Sequence, residues 1–240
     1  MKDVQNFIDT RNINIKKVGV KTVSYPISLR DRSRVRQHTV ATANMYANLQ
    51  HNCKGTHMSR FVEVLNKYHG DFDTSRIPEI LKAMKDRLGA EASHLDLTFP
   101  YFTTGVVSPC TEREKDYPQK KYYCTLHGSL EKDADVRLTV QVPISFTFGS
   151  EHAVSCRWGV ADVAVAFRNF YWLEDIIALA EAGIDEASKA VQSSHEPKLT
   201  AELLCRAICS QLRPVRELRS YTVTVHNLSD ACATFASARG

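Results

Sequence analysis

A pattern written twice constrains this chain more than any single motif. In each half, two stretches of alternating apolar and polar residues precede two helical stretches, and two more alternating stretches follow. Ala41, Ala43, Met45, Ala47 and Leu49 share one face of a period-two segment, with Thr42, Asn44, Tyr46 and Asn48 on the other. That alternation marks a half-buried strand. Val18 and Val20 open the segment before it, which runs to Pro26. Phe61, Val62, Leu65 and Tyr68 recur at helical spacing, with Gly70 as a stop. Ile77, Ile80, Leu81, Met84 and Leu88 form the stripe of a second helix that Gly89 ends. Thr74 or Ser75 can cap it, and Pro78 suits its first turn. Leu95, Leu97 and Phe99 alternate next, then Tyr122, Cys124 and Leu126.

The second half repeats this order. Val136, Leu138, Val140 and Val142 mark one strand, and Val163, Val165 and Phe167 the next. Helices are predicted from about Trp172 to Val191 and from about Leu199 to Leu212. Gly183 sits inside the first and opposes it by about 1 kcal/mol of propensity. Tyr221, Val223 and Val225 then alternate, and 231–236 can form the last strand. The order β-β-α-α-β-β, twice, predicts an α+β fold of two units with antiparallel sheets and both helices on one face. The seam falls near Asp133-Ala134-Asp135, giving units of residues 1–133 and 134–240. Open sheet edges need partners, so a homo-oligomer, dimer or tetramer, joined edge to edge is expected.

The net charge of +4 suits an anionic small ligand and is far from the loading of a dedicated nucleic-acid binder. No apolar run approaches the roughly 20 residues of a membrane helix. Met1-Lys2-Asp3-Val4-Gln5-Asn6 has no apolar leader core. Seven cysteines at irregular spacing indicate reduced thiols, hence a cytoplasmic protein with no membrane partner. Cys205 and Cys209, four apart on a predicted helix, read as small core residues on one face. The basic run 30–36 reads as a solvated hairpin connection, with phosphate contact as the other reading.

Asp3-Val4-Gln5-Asn6, Asp9-Thr10-Arg11, Val18-Gly19-Val20-Lys21 and above all Lys54-Gly55-Thr56-His57-Met58-Ser59-Arg60-Phe61-Val62-Glu63 carry a family resemblance. It returns at Val142-Pro143 and from Phe167-Arg168 to Trp172-Leu173-Glu174-Asp175. The chain resembles the type IB GTP cyclohydrolases. The resemblance implies a tandem tunnelling fold (T-fold) and homo-oligomers with sites at subunit interfaces. It also implies metal-activated water that opens the imidazole ring of GTP, releasing formate and giving dihydroneopterin triphosphate for folate-related synthesis. A metal suits that chemistry, because attack at purine C8 needs a strong nucleophile at neutral pH.

The second half departs from the family's motifs. After Val142-Pro143 the family has Cys-Pro-Cys-Ser-Lys-Glu and then Gly-Ala-His-Asn-Gln-Arg, and neither is readable in 144–158. The family's Arg-Pro-Asp-Glu-Lys region reads here as Gln192-Ser193-Ser194-His195-Glu196-Pro197-Lys198. Its Phe-Glu-Ser-Ile-His-Asn-His reads as Leu228-Ser229-Asp230-Ala231-Cys232-Ala233, with His226-Asn227 displaced. The guanine-anchoring carboxylate falls at Ala201, with Glu202 next to it. These departures lead to a divergent member with a degenerate metal site, either without a cofactor or with a divalent Zn, Fe or Mn ion rebuilt on His152, Cys156 and Glu196. Lys54, Thr56, His57, Ser59, Arg60 and Glu202 are the candidate substrate-binding residues. Lys54 and Arg60 suit a triphosphate at a helix N-terminus, and His57 either binds phosphate or caps the helix. The expected partner is a purine nucleotide or pterin-like small molecule, handled by a cyclohydrolase-like hydrolase with altered chemistry. The alternatives are a non-catalytic ligand-binding or oligomer-partner protein, and an ordinary GTP cyclohydrolase making dihydroneopterin triphosphate.

Overall fold

The structure, a computed structural model, describes residues 15–30, 32, 36–49, 57–68, 76–103, 120–148, 154–168, 171–192, 199–227 and 232–240. The elements run β1 (Ile15–Arg30), β2 (Arg36–Leu49), α1 (Ser59–Lys67), α2 (Ile77–Leu88), β3 (Ser93–Thr103), β4 (Lys120–Leu130), β5 (Ala134–Phe148), β6 (Val154–Phe167), α3 (Leu173–Gln192), α4 (Ala201–Leu212), β7 (Leu218–Asn227) and β8 (Thr234–Arg239). Among the described residues, eight strands form one sheet in chain order, and the fold is α+β with four helices. No helix among the described residues is long and apolar enough to cross a membrane. By contacts the chain divides into Met1–Phe99 with Thr125–Arg137, and Pro100–Cys124 with Leu138–Gly240.

In the first unit, β1, β2 and β3 pair antiparallel. Their apolar residues stay in phase because the β1–β2 register slips by one residue between Val20 and Val23. Val18, Val20, Val23, Tyr25, Ile27 and Leu29 thus share a side, although strict alternation would have reversed it. Thr22 sits in this bulge with φ 57°, and its amide donates to Asn44 Oδ1 at 2.9 Å. Both helices lie over the apolar side. The buried Tyr25 hydroxyl donates to the Leu65 carbonyl near the end of α1, at 2.8 Å. Ser93 Oγ donates to the Leu81 carbonyl of α2 at 2.7 Å. Gly128 of β4 leaves room for Ile77, whose Cγ2 would stand 2.7 Å from a Cβ there.

Helix α2 follows its sequence pattern, with Ile77, Ile80, Leu81, Met84 and Leu88 all buried and Gly89 left-handed at φ 59° behind it. Pro78 occupies its first turn, while Thr74, Ser75 and Gly70 lie outside the described residues. The stripe predicted for α1 needs one correction. Val64 joins Phe61 and Leu65 in the core, and Val62 is exposed. The two valines are 200° apart on the helix, and the sheet beneath selects Val64, the one on the Phe61 side.

In the second unit, β6, β7 and β8 pair antiparallel. The last strand lies three residues later than predicted, at Thr234–Arg239, because its register on β7 places Ala236 opposite Val225 and Ala238 opposite Val223. Gly183 in α3 is the close-approach point of the helix pair: a Cβ there would stand 2.7 Å from the Ile208 Cα of α4. Two glutamates of α3 receive phenols from strand ends. Tyr101 donates to Glu174 Oε1 at 2.5 Å and Tyr122 to Glu181 Oε1 at 2.6 Å. Lys120 Nζ adds a 2.8 Å contact to Glu181. Cys205 is buried and donates to the Val223 carbonyl at 3.5 Å, while Cys209, one turn on, is half-buried.

Candidate functional site

Of the motif residues 54–60, His57, Ser59 and Arg60 are described and come together at the head of α1; Lys54 and Thr56 lie outside. Phe61 and Leu65 pin α1 to the core, which leaves Ser59 exposed and His57 and Arg60 half-exposed. The N-cap, Met58, supplies no side-chain hydrogen bond, and the first turn carries no acid. The Arg60 and Phe61 amides fold back on the His57 and Met58 carbonyls at 3.1 and 3.2 Å. Glu63, the nearest acid on α1, is taken by Arg87 at 2.9 Å. The positive end of the helix dipole therefore faces outward beside a guanidinium, an arrangement suited to an anion.

Glu202 belongs to the other unit, in the first turn of α4. Thr200 caps that helix, accepting the Leu203 amide at 3.2 Å. Hydrogen bonds from its own backbone amide and from the Thr200 hydroxyl, with Arg206 close by, hold the exposed Glu202 carboxyl below its usual range. Its charge thus serves the helix N-terminus.

Among the residues named as substitute metal ligands, His152 and Glu196 lie outside the described residues; Cys156 is on β6, with its backbone alone described. Among the described residues, no group of three or more His, Cys, Asp or Glu is placed to hold one ion.

Periodicity did not reveal the polar groups on the strand faces turned away from the helices. In the first unit Lys17 lies 4.5 Å over the Tyr46 ring, and Tyr46 stacks on His94 at 4.6 Å. Burial, and then the Lys17 charge, lower the His94 pKa. Asp96 holds His127 Nδ1 at 2.9 Å. In the second unit Asp162 Oδ2 stands 3.5 Å from His226 Nε2. A signal for Asp162 was present: it is the one charged residue in Val160-Ala161-Asp162-Val163-Ala164-Val165.

The backbone defines the class first. The fold is that of the tunnelling-fold proteins: urate oxidase from Bacillus sp. TB-90 superposes with TM-score 0.60 at 10% identity, covering 94% of this chain and 99% of its own. Uricase from Arthrobacter globiformis gives 0.58 at 9%, covering 93% and 92%. At such identities the likeness concerns the fold alone.

Sequence then defines the family. The family model described as type I GTP cyclohydrolase folE2 matches residues 1–228. The GTP cyclohydrolase FolE2 of Syntrophobacter fumaroxidans is 36% identical over 95% of this chain and 93% of its own length. That of Geobacter metallireducens is 41% identical over 75% and 70%, and that of Pelobacter propionicus 33% over the whole of both. The chain belongs to the GTP cyclohydrolase FolE2 family.

This corrects two expectations. The type IB assignment gives way to FolE2, the designation shared by the family model and these relatives. The divergent member with a degenerate metal site gives way as well, since the match spans both halves and the relatives are named as GTP cyclohydrolases. The pairing with the Pelobacter propionicus protein runs over 262 positions, more than the 240 residues of this chain. Gaps therefore separate the two. Of the three functional readings, the ordinary cyclohydrolase is the one the relatives favour.

Proposed function

We propose that this chain is a GTP cyclohydrolase that adds water to GTP, releases C8 as formate and recloses the remainder to dihydroneopterin triphosphate. The observation that carries the reading is the family match over residues 1–228, together with relatives aligned over nearly their whole length. The fold is read as a tandem T-fold of two ββααββ units with a seam near Asp133-Ala134-Asp135, working as a homo-oligomer. Element order and the open edge strands β1 and β8 support both points.

Within this reading, the head of α1 binds the triphosphate. Arg60 supplies a guanidinium, Ser59 a hydroxyl, and His57 an imidazole beside an unneutralised helix N-terminus. Lys54 and Thr56 belong to the same motif. The chemistry that a Zn, Fe or Mn ion would supply if bound is a water whose pKa falls toward about 7. The described residues do not provide a ligand set for that ion, so the roles derived for this chain concern binding and orientation.

The test is direct. Purified protein is incubated with GTP and, separately, Zn, Mn or Fe(II), while formate and the fluorescence of the oxidised pterin are followed. Stoichiometric release of both is expected. A protein that releases neither with any of these ions is the non-catalytic relative instead.

A further inference from the structure

Strand pairing gives the basic run between β1 and β2 a definite placement. The two strands pair to their ends, with Ser28 opposite His38, Leu29 opposite Gln37 and Arg30 opposite Arg36. Tyr25, Ile27 and Leu29 are buried, and the Tyr25 hydroxyl reaches α1. Alternation sets the positions of Ser28, Arg30, Arg36 and His38 on the other face, with Pro26 and the exposed Val40 on the next rung in. Arg30, of which only the backbone is described, stands directly across the ladder from the exposed Arg36.

Two features of this face call for an anion. Like charges directly opposite on an antiparallel ladder are destabilising, and the rungs Ser28–His38 and Pro26–Val40 carry no acid to offset them. Ser28 Oγ is buried with no hydrogen-bond partner. Among the described residues, Asp162 Oδ1 is the only other side-chain atom in that state. A buried hydroxyl without a partner forfeits the hydrogen bonds it makes in water. Water would complete Ser28 but leave the arginines opposed. An oxyanion answers both, because it accepts from a hydroxyl, an imidazole N–H and a guanidinium together.

We propose that Ser28, Arg30, Arg36 and His38 form a second anion site, one for a condensed chain of two or three phosphates. Successive positions on one face of a strand stand about 7 Å apart. A single phosphate therefore meets one rung, while a chain meets both. The face lies opposite the one that α1 covers, so the site is separate from the head of α1. Its occupant is a further oligophosphate, free or carried on a nucleotide, rather than the triphosphate assigned to α1. Holding it ties β1 to β2 where their like charges push apart. The site stands whether or not the chain opens GTP.

The test is calorimetric titration of the full chain with inorganic tripolyphosphate, ATP and monophosphate, in an Arg60→Ala background that weakens the site at α1. Tripolyphosphate is expected to bind about tenfold or more tightly than monophosphate, and added salt to weaken it. Arg36→Gln and Ser28→Ala should each weaken it about tenfold. ATP that binds as tightly as tripolyphosphate assigns the site to nucleotides, and ATP that binds about tenfold more weakly assigns it to free chains; either result keeps the site. Without ligand, Arg36→Gln should unfold no earlier than its parent, since it removes the opposed charge. With saturating tripolyphosphate the parent's unfolding midpoint should rise more than that of Arg36→Gln. A parent that binds no tripolyphosphate, or binds monophosphate equally well, would overturn the site. So would an Arg36→Gln variant that binds tripolyphosphate like its parent. Arg36→Gln in the otherwise wild-type chain that raises KM for GTP about tenfold would place this face at the substrate and overturn it too.

Discussion

Gly183 of α3 faces Ile208 of α4 so closely that an added Cβ would stand 2.7 Å from the Ile208 Cα and 2.8 Å from its amide nitrogen. Propensity alone says that Gly183→Ala gains about 1 kcal/mol. The contact is with backbone, which cannot rotate aside, so overpacking should outweigh the gain and cost about 1 to 3 kcal/mol. The urea midpoint should fall with little change in slope. A more stable variant would mean that α3 and α4 do not meet at this glycine.

Thr22 holds a left-handed backbone at φ 57°, and its amide bonds to Asn44 Oδ1 at 2.9 Å. A side chain with a Cβ pays roughly 1–2 kcal/mol for that conformation, and glycine's extra chain entropy returns about 0.5–1 kcal/mol of it. Thr22→Gly should therefore stabilise by about 0.5 to 1 kcal/mol. Asn44→Ala should destabilise by about 1 kcal/mol, through the lost acceptor. Chemical denaturation checks both, and opposite signs would place the bulge elsewhere.

Tyr122 gives a pH dependence. Burial first, then the hydrogen bond to Glu181 and its charge, push the phenol well above its ordinary 10.0. The folded chain thus keeps a proton that the unfolded chain loses. That stabilisation is complete below the unfolded value and disappears as pH rises through the folded one. Tyr122→Phe should lower stability near neutrality and flatten the decline between about pH 9 and about pH 11. Thermal unfolding across that range measures it; a variant as steep as wild type would assign the decline to other groups.

Arg60 separates binding from chemistry. If it grips the triphosphate, Arg60→Ala should raise KM for GTP about tenfold with kcat little changed, and Arg60→Lys should recover part of the loss. Added salt should weaken wild type more than the alanine variant. A fall in kcat at constant KM would place Arg60 at the reacting atoms instead.

Much of the fold was legible in the sequence because burial along one element follows chain order. The α2 stripe from Ile77 to Leu88 is buried as read, and Ala41 to Ala47 alternate as read. The cyclohydrolase resemblance was legible too, in the stretch from Lys54 to Glu63, because helix start, basic side chains and family pattern coincide there. Its subtype and its standing as a divergent member were misread, since both leaned on motifs of the second half, while the family match runs through residues 1–228. Tertiary structure decided what depends on a neighbour. It put Val64 rather than Val62 in the core, carried β1 past Thr22 without reversing its faces, and justified Gly183 by the backbone of α4. It also brought Asp162 to His226, residues far apart in the chain. Periodicity says which side of a strand a residue occupies; hydrogen-bond register says what stands beside it, and register exists only once the strands have paired.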